Sequence, residues 1–188
     1  PDDAGMHITL GWLFYEHEGN FEAAKGEFEK AVALNSQPGN SNFALGQLYA
    51  RESQYHLAEP YFREAVLQSP RNRWYKLADA NNTRDAGDLS ASIDLYEEII
   101  RAYPDFSYAY FQIAQAFKLN GSLDEAIDAI QTAISLKEPP GDNFFTRAAD
   151  IYIAAGRFDD AEKSYLLALE INPNNQTARR GLDQIDNP

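Results

Sequence analysis

Residues 108–136 read YAYFQIAQAFKLNGSLDEAIDAIQTAISL, and their reading decides the fold. Tyr110, Ile113, Ala114 and Phe117 follow one another at helical spacing up to Asn120 and Gly121, a polar and conformationally free pair that marks a turn. Ala126, Ile130 and Ala133 then resume at intervals of four and three. Those intervals place them on one stripe of a second helix, with small and large side chains alternating so that a neighbouring helix can approach closely. Ser122 and Glu125 stand where a capping box opens that second helix. The stretch is a helix, a turn and a helix.

Moving outward in both directions, the pattern recurs. Small residues stand at Ala24, Ala58, Ser92, Ala126 and Ala161, separated by 34, 34, 34 and 35 positions. Four residues after each comes Phe28, Phe62, Tyr96, Ile130 or Tyr165, and three further on Ala31, Ala65, Ile99, Ala133 or Ala168. Pro70, Pro104 and Pro173 close three of these helices, because proline cannot continue the hydrogen-bond ladder. Pro139 and Pro140 arrive one residue late and account for the single longer interval. Upstream of each lies another helix: Leu45, Gly46 and Tyr49 before the turn at Glu52 and Ser53, and Phe145, Ala148, Ala149 and Tyr152 before Gly156. The spacing predicts helices at 5–17 and 21–35, 39–52 and 55–68, 72–84 and 89–102, 107–119 and 123–136, and 142–154 and 158–171. Asn20 and Asp88 are placed to cap two of the second helices.

A large residue, a Leu-Gly pair or its small equivalents, an aromatic three residues on, a glycine turn and the Ala…Phe…Pro pattern at a 34-residue period resemble the tetratricopeptide repeat. The resemblance covers residues 7–173. It implies an all-α fold, a right-handed α-solenoid of stacked helix-turn-helix repeats, as one domain with repeats near 5–38, 39–70, 71–104, 105–140 and 141–173. Residues 176–186 carry only Ala178, Leu182 and Ile185 as an apolar stripe, with Arg179 and Asp183 polar, and read as the cap that a stacked array needs. The first helix has no such cover over Leu10, Trp12, Leu13 and Phe14.

The repeats depart from the pattern twice. Repeat one holds one extra residue between Gly11 and Gly19, read as a longer turn. In repeat three Asn81 stands where the aromatic belongs and two extra residues precede Gly87. Two readings stand: a slipped helix or a longer turn across Asn82, Thr83, Arg84 and Asp85, or an irregularity that presents Asn81 and Asn82 to a ligand.

Stacked hairpins put first helices on an inner wall and second helices outside. Within the spans above, the second helices carry 15 Asp+Glu and 5 Lys+Arg, and the first helices 5 and 6. The outer face is acidic and the inner wall nearly neutral. Carried onto this chain, the resemblance lines that wall with Ile8, Trp12 and Tyr15 from repeat one, Phe43, Gln47 and Arg51 from repeat two, and Tyr75, Lys76 and Asp79 from repeat three. Repeat four contributes Tyr108, Phe111, Gln112, Gln115 and Lys118, and repeat five Asn143, Thr146, Arg147 and Asp150. Rings, amides and guanidinium groups dominate binding energy at protein interfaces. The expected partner is therefore another protein or a peptide segment, and removing Tyr75 or Phe111 is expected to weaken it at little cost in stability. Chaperone-binding members resemble one another in a clamp of Lys, Asn and Arg. Repeats three to five offer Tyr75, Asp79, Gln112, Asn143 and Arg147 in its place, and only Arg147 fits.

The whole chain of 188 residues bears a net charge of −13. That balance points away from nucleic acid, which is held by basic stripes, and from an anionic membrane surface. With 44% apolar and 13% aromatic residues there is material for a sizeable core. The absence of cysteine removes disulfides, thiol nucleophiles and cysteine-bound zinc, and no apolar run is long enough to cross a bilayer. His7, His17 and His56 stand far from any HExxH spacing, Glu16, His17 and Glu18 point in different directions, and no P-loop, GxGxxG or GxSxG occurs. Neither catalysis, a metal nor a cofactor is expected. The alternatives to a partner-binding scaffold are a homo-oligomer built through the uncovered first helix and a substrate-positioning module of a larger enzyme. The start at Pro1, without Met, suits a processed or an excised chain, and leaves a cytoplasmic, periplasmic or secreted setting open.

Overall fold

A computed structural model describes residues 3–34, 36, 38–137 and 140–186. Among them are eleven helices and no strand. The chain divides into two compact units, residues 1–91 and 92–188. The first holds α1 (Ala4–Glu18), α2 (Phe21–Leu34), α3 (Pro38–Arg51), α4 (Tyr55–Gln68) and α5 (Arg73–Asp85), and the division falls inside α6 (Leu89–Ala102). The second continues with α7 (Ser107–Asn120), α8 (Leu123–Leu136), α9 (Asp142–Ala154), α10 (Phe158–Ile171) and α11 (Gln176–Asp186).

Each unit is built the same way. In the first, α1 to α5 pack pairwise in chain order and α1 also touches α3; in the second, α7 to α11 do likewise and α7 touches α9. First helices thus stand side by side with second helices behind them. The reason lies in the small-large alternation: Ala24, Phe28 and Ala31 of α2 and Ala58, Phe62 and Ala65 of α4 are buried, as are Ala126, Ile130 and Ala133 of α8 and Ala161, Tyr165 and Ala168 of α10. Close approach needs an absent side chain at Gly11, where a Cβ atom would lie 2.5 Å from the Phe28 ring. The helices end two residues before Pro70, Pro104 and Pro173. Pro139 lies outside the described residues.

Three local expectations are corrected. The extra residue of repeat one does not lengthen the turn. It is absorbed into α1, which runs to Glu18 and is stopped by Gly19 in the left-handed region at φ 62°. In repeat three no longer turn forms and nothing is inserted: α5 has 13 residues, as α9 does. The buried small residue in register with Gly46 and Ala114 is Ala80 and not Ala78, so the apparent extra residues are a slip of register, and Gly87 makes the reversal at φ 99°. The capping box does not close either, since Ser122 precedes α8 without a side-chain bond to its backbone. Asn20 and Asp88, by contrast, do cap, accepting from the Ala23 and Ala91 amides at 3.1 and 3.0 Å.

The C-terminal helix has the amphipathic form expected of a cap. Ala178 and Gly181 are buried while Arg179 and Asp183 face outward. On α1, Met6, Leu10 and Leu13 are 61%, 37% and 48% exposed, while Trp12 and Phe14 pack partly against the first unit's core.

Candidate functional site

In the first unit Arg51, at the end of α3, reaches back over α1. Its guanidinium carbon lies 4.7 Å from the Trp12 ring centre and 5.7 Å from that of Tyr15, and Nη1 meets Glu16 Oε1 at 3.2 Å. Trp12 and Tyr15, three apart, share a helix face. The Tyr15 hydroxyl donates to Glu52 Oε1 at 2.8 Å, and this bond, with burial, raises the phenol above its ordinary value. Trp12 is anchored edge-on against Phe28 at 5.0 Å, and Ile8 packs beside it against the same core. The result is an aromatic shelf under a cation, the arrangement that gives cation–π attraction.

Deeper in that unit Phe43 stacks on Tyr75 at 4.6 Å and meets Phe62 edge-on at 5.9 Å. The Tyr75 hydroxyl donates to Asn40 Oδ1. Gln47 lines a pocket with Arg51. Lys76 is half-buried on α5. Asp79 lies beside α4, where burial raises its carboxyl above the ordinary 3.8 while Arg63 and Lys76 oppose the shift and Glu59 adds to it. Its Oδ1 is buried without a partner.

The second unit repeats the motif with different residues. Phe111 lies 4.7 Å from Phe144, Arg147 sits over the Phe111 ring at 5.0 Å, and Arg147 Nη1 donates to Gln115 Oε1. Tyr108 lies 5.7 Å from Phe144, with Lys137 Nζ 5.4 Å above its ring. Gln112 and Lys118 are half-buried on α7, and Asn143 is exposed on α9. Thr146 and Asp150 do not join this group. Thr146 accepts from Asn175 Nδ2 at 3.0 Å, and Asp150 accepts from the Tyr165 hydroxyl at 3.0 Å, so both brace the elements that follow α9.

One expectation is revised by these positions. Tyr75 and Phe111 are only 6% and 7% exposed. Truncating a packed ring of that burial costs about 3–5 kcal/mol, so neither can be removed at little cost in stability. Both are packed beneath the surface, whereas Arg51 and Asn143 are exposed and Trp12, Tyr15, Tyr108, Lys118 and Arg147 are among the half-buried residues of the expected set.

Sequence reading missed two features. His7 Nδ1 meets Glu27 Oε2 at 2.6 Å and Lys30 Nζ meets Glu27 Oε1 at 2.6 Å. The two contacts hold the Glu27 carboxyl below the usual range, Lys30 contributing most. The second is the burial of Asn82, a residue that one of the two readings of repeat three presented to a ligand. Asn82 is 3% exposed and donates from Nδ2 to the Tyr55 carbonyl at 3.0 Å. A hint lay in its polar type at a core-facing position. Among the described residues no group of His, Asp and Glu is arranged to hold a metal, and no helix is long and apolar enough to cross a membrane.

Comparison with known proteins extends these findings. Family models described as the tetratricopeptide repeat match residues 8–76, 77–143 and 143–175. The chain is 28% identical over 191 residues to cellulose synthase 1 operon protein C of Komagataeibacter xylinus, a match that covers 99% of this chain and 12% of that protein. It is also 28% identical over 105 residues to the small glutamine-rich tetratricopeptide repeat-containing protein 2 of Mycosarcoma maydis, covering 56% of this chain and 30% of that one. The chain therefore spans less than a third of either relative. Among solved structures it is similar to TTC0263, a thermophilic TPR protein of Thermus thermophilus, with TM-score 0.78 and 21% identity over 97% of this chain and 98% of that one. It is similar too to YrrB, a TPR protein with an unusual peptide-binding site, with TM-score 0.66 and 18% identity over 94% and 90%.

Proposed function

The chain belongs to the tetratricopeptide repeat family, and from that premise we propose that it is a protein-interaction scaffold whose first helices take an extended or helical segment of a partner protein. The observation that carries this reading is the pair of ring-and-guanidinium shelves, Trp12 and Tyr15 under Arg51 in one unit and Phe111 under Arg147 in the other. Aromatic and arginine side chains supply most of the energy at interfaces because they bury much area, lose little freedom and still hydrogen-bond. The acidic second helices keep the opposite face solvated. The peptide-binding site of YrrB supports the same assignment by analogy of fold. Lys118 and Arg147 favour a segment that carries carboxylates among apolar side chains, while the Arg51 charge is met by Glu16.

A capture experiment tests this. The intact chain, a variant with Arg51, Lys118 and Arg147 all changed to Ala, and a second-helix control with Glu97→Gln and Glu98→Gln are immobilised and exposed to cell extract, after circular dichroism shows that all three are equally helical. Loss of the captured partner in the first variant and retention in the control is the expected result. The reverse pattern would place the partner on the second helices and overturn the reading.

A second reading, self-association, is favoured by α1. Gly11 corresponds to Gly46, which sets α1 and α3 in register: Leu10 and Leu13 match Leu45 and Leu48, both buried under neighbouring helices. On α1 the same positions stand in solvent, around a cavity of about 560 Å3 bordered by Met6, Leu10 and Leu13. A second copy of the chain would cover apolar area there.

A further inference from the structure

A pocket of about 260 Å3 opens among α3, α4 and α5 of the first unit. Its polar lining comes from Gln47 and Arg51 on α3 and from Asn81, Asn82 and Asp85 on α5. Residues 81 and 82 stand four and three positions before Asp85, so all three border one side of α5 near its end, and that side lines the pocket. Phe62 supplies an apolar wall.

Asn82 sets the chemistry. The bond from its Nδ2 to the Tyr55 carbonyl fixes which way the amide points and leaves Oδ1 as a buried acceptor with no donor. Buried polar atoms are almost always paired, and one left unmatched favours any ligand that brings the missing hydrogen. The charges around it are already met, Arg51 by Glu16 at 3.2 Å and Asp85 by Arg84 at 2.8 Å. A carboxylate brings no donor to Oδ1, and an aliphatic group leaves it unmatched. A guanidinium adds a charge beside a carboxylate that is already paired. A primary carboxamide is neutral and carries both N–H donors and an acceptor.

We propose that this pocket recognises a primary-carboxamide side chain, glutamine or asparagine, on the bound segment, its N–H donating to Asn82 Oδ1 and its oxygen accepting from Gln47 or Arg51. The proposal rests on the partner-binding reading and adds the residue type that the segment places here. Because Oδ1 has almost no accessible surface of its own, the ligand reaches it by parting the lining side chains, so binding registers on the Asn82 amide itself.

The test is a nuclear magnetic resonance titration of the full, nitrogen-labelled chain with N-acetylglutamine methylamide, beside the corresponding methionine, glutamate and arginine compounds. The glutamine compound is expected to shift the Asn82 side-chain amide saturably and to bind at least about tenfold more tightly than the other three, as a site built around a hydrogen bond rejects analogues lacking it. Ala50→Leu, which fills the pocket without altering Asn82, should abolish that shift while leaving the rest of the spectrum in place. Asn82→Ala should abolish the binding as well. Tighter binding of the arginine compound, equal binding of the methionine compound, or an Asn82 amide that no compound moves each overturns the proposal. If extract capture still depends on Arg51, Lys118 and Arg147 while Asn82 stays silent, the pocket alone is wrong. If the glutamine compound binds while capture ignores those residues, the partner-binding reading alone is wrong.

Discussion

Asp79 shows how a single carboxyl can work against the fold that holds it. Burial disfavours its charged form, and the charges of Arg63 and Lys76 do not outweigh that, so its folded value lies above the ordinary 3.8. The folded chain then binds more protons than the unfolded chain between those two values, and stability falls as pH rises through the interval. Above it the cost is complete; below 3.8 both states are protonated and the cost is gone. Asp79→Asn is therefore expected to raise the midpoint of thermal unfolding at neutral pH and to leave it unchanged at a pH under 3.8. Melting curves for the two proteins across the acid range read this directly, and a constant difference at every pH would show that the charge is not the cause. Tyr165 illustrates the converse arrangement. Its phenol is raised mainly by burial and then by Asp150, and it stays protonated as a donor to that carboxylate. A Cβ atom at Gly181 would run into the Tyr165 ring, so α11 lies close on α10 only because that residue has no side chain.

At the scale of the helix, the ends differ more than the interiors. Asn20 and Asp88 each accept a hydrogen bond from an amide in the first turn, and Ser122, in the corresponding place, accepts none. Removing a functioning cap costs about 1 kcal/mol. Asn20→Ala and Asp88→Ala should each lower unfolding stability by about that much in urea titrations, and Ser122→Ala should change it by less than about 0.5 kcal/mol. A loss at Ser122 equal to the other two would contradict the cap geometry. Between α3 and α4 the reversal is made by Ser53 at φ 57°, a left-handed conformation that glycine holds in the turns at Gly19, Gly87, Gly121 and Gly156. The last turn of α5, which runs through Asp85, sets Asn82 and Asp85 at the pocket.

For the molecule as a whole, the exposed face of α1 predicts an association. Sedimentation or light-scattering mass should rise with concentration for the native chain and stay at one copy for Leu13→Glu; Leu13 serves better than Trp12, whose ring packs on Phe28. A native chain that remains a single copy at every concentration removes the second reading. The partition of the molecule into helix pairs was legible from the chain because helical spacing and a 34-residue period are one-dimensional properties: Ala126, Ile130 and Ala133 declare a face whatever lies against it. The shelf of Trp12 and Arg51 was half legible, since residue type suggested both members but nothing in the sequence joined them. What could not be read was depth. Tyr75 and Tyr108 look alike in sequence, yet one is sealed beneath Phe43 and the other is half open. Asn82 gains its lone oxygen only because the Tyr55 carbonyl, 27 residues away, claims the other end of the amide. Helical periodicity is set by each residue's near neighbours along the chain. Burial and hydrogen-bond satisfaction are set by whichever distant residues the packing brings alongside, and these exist only once the helices have met.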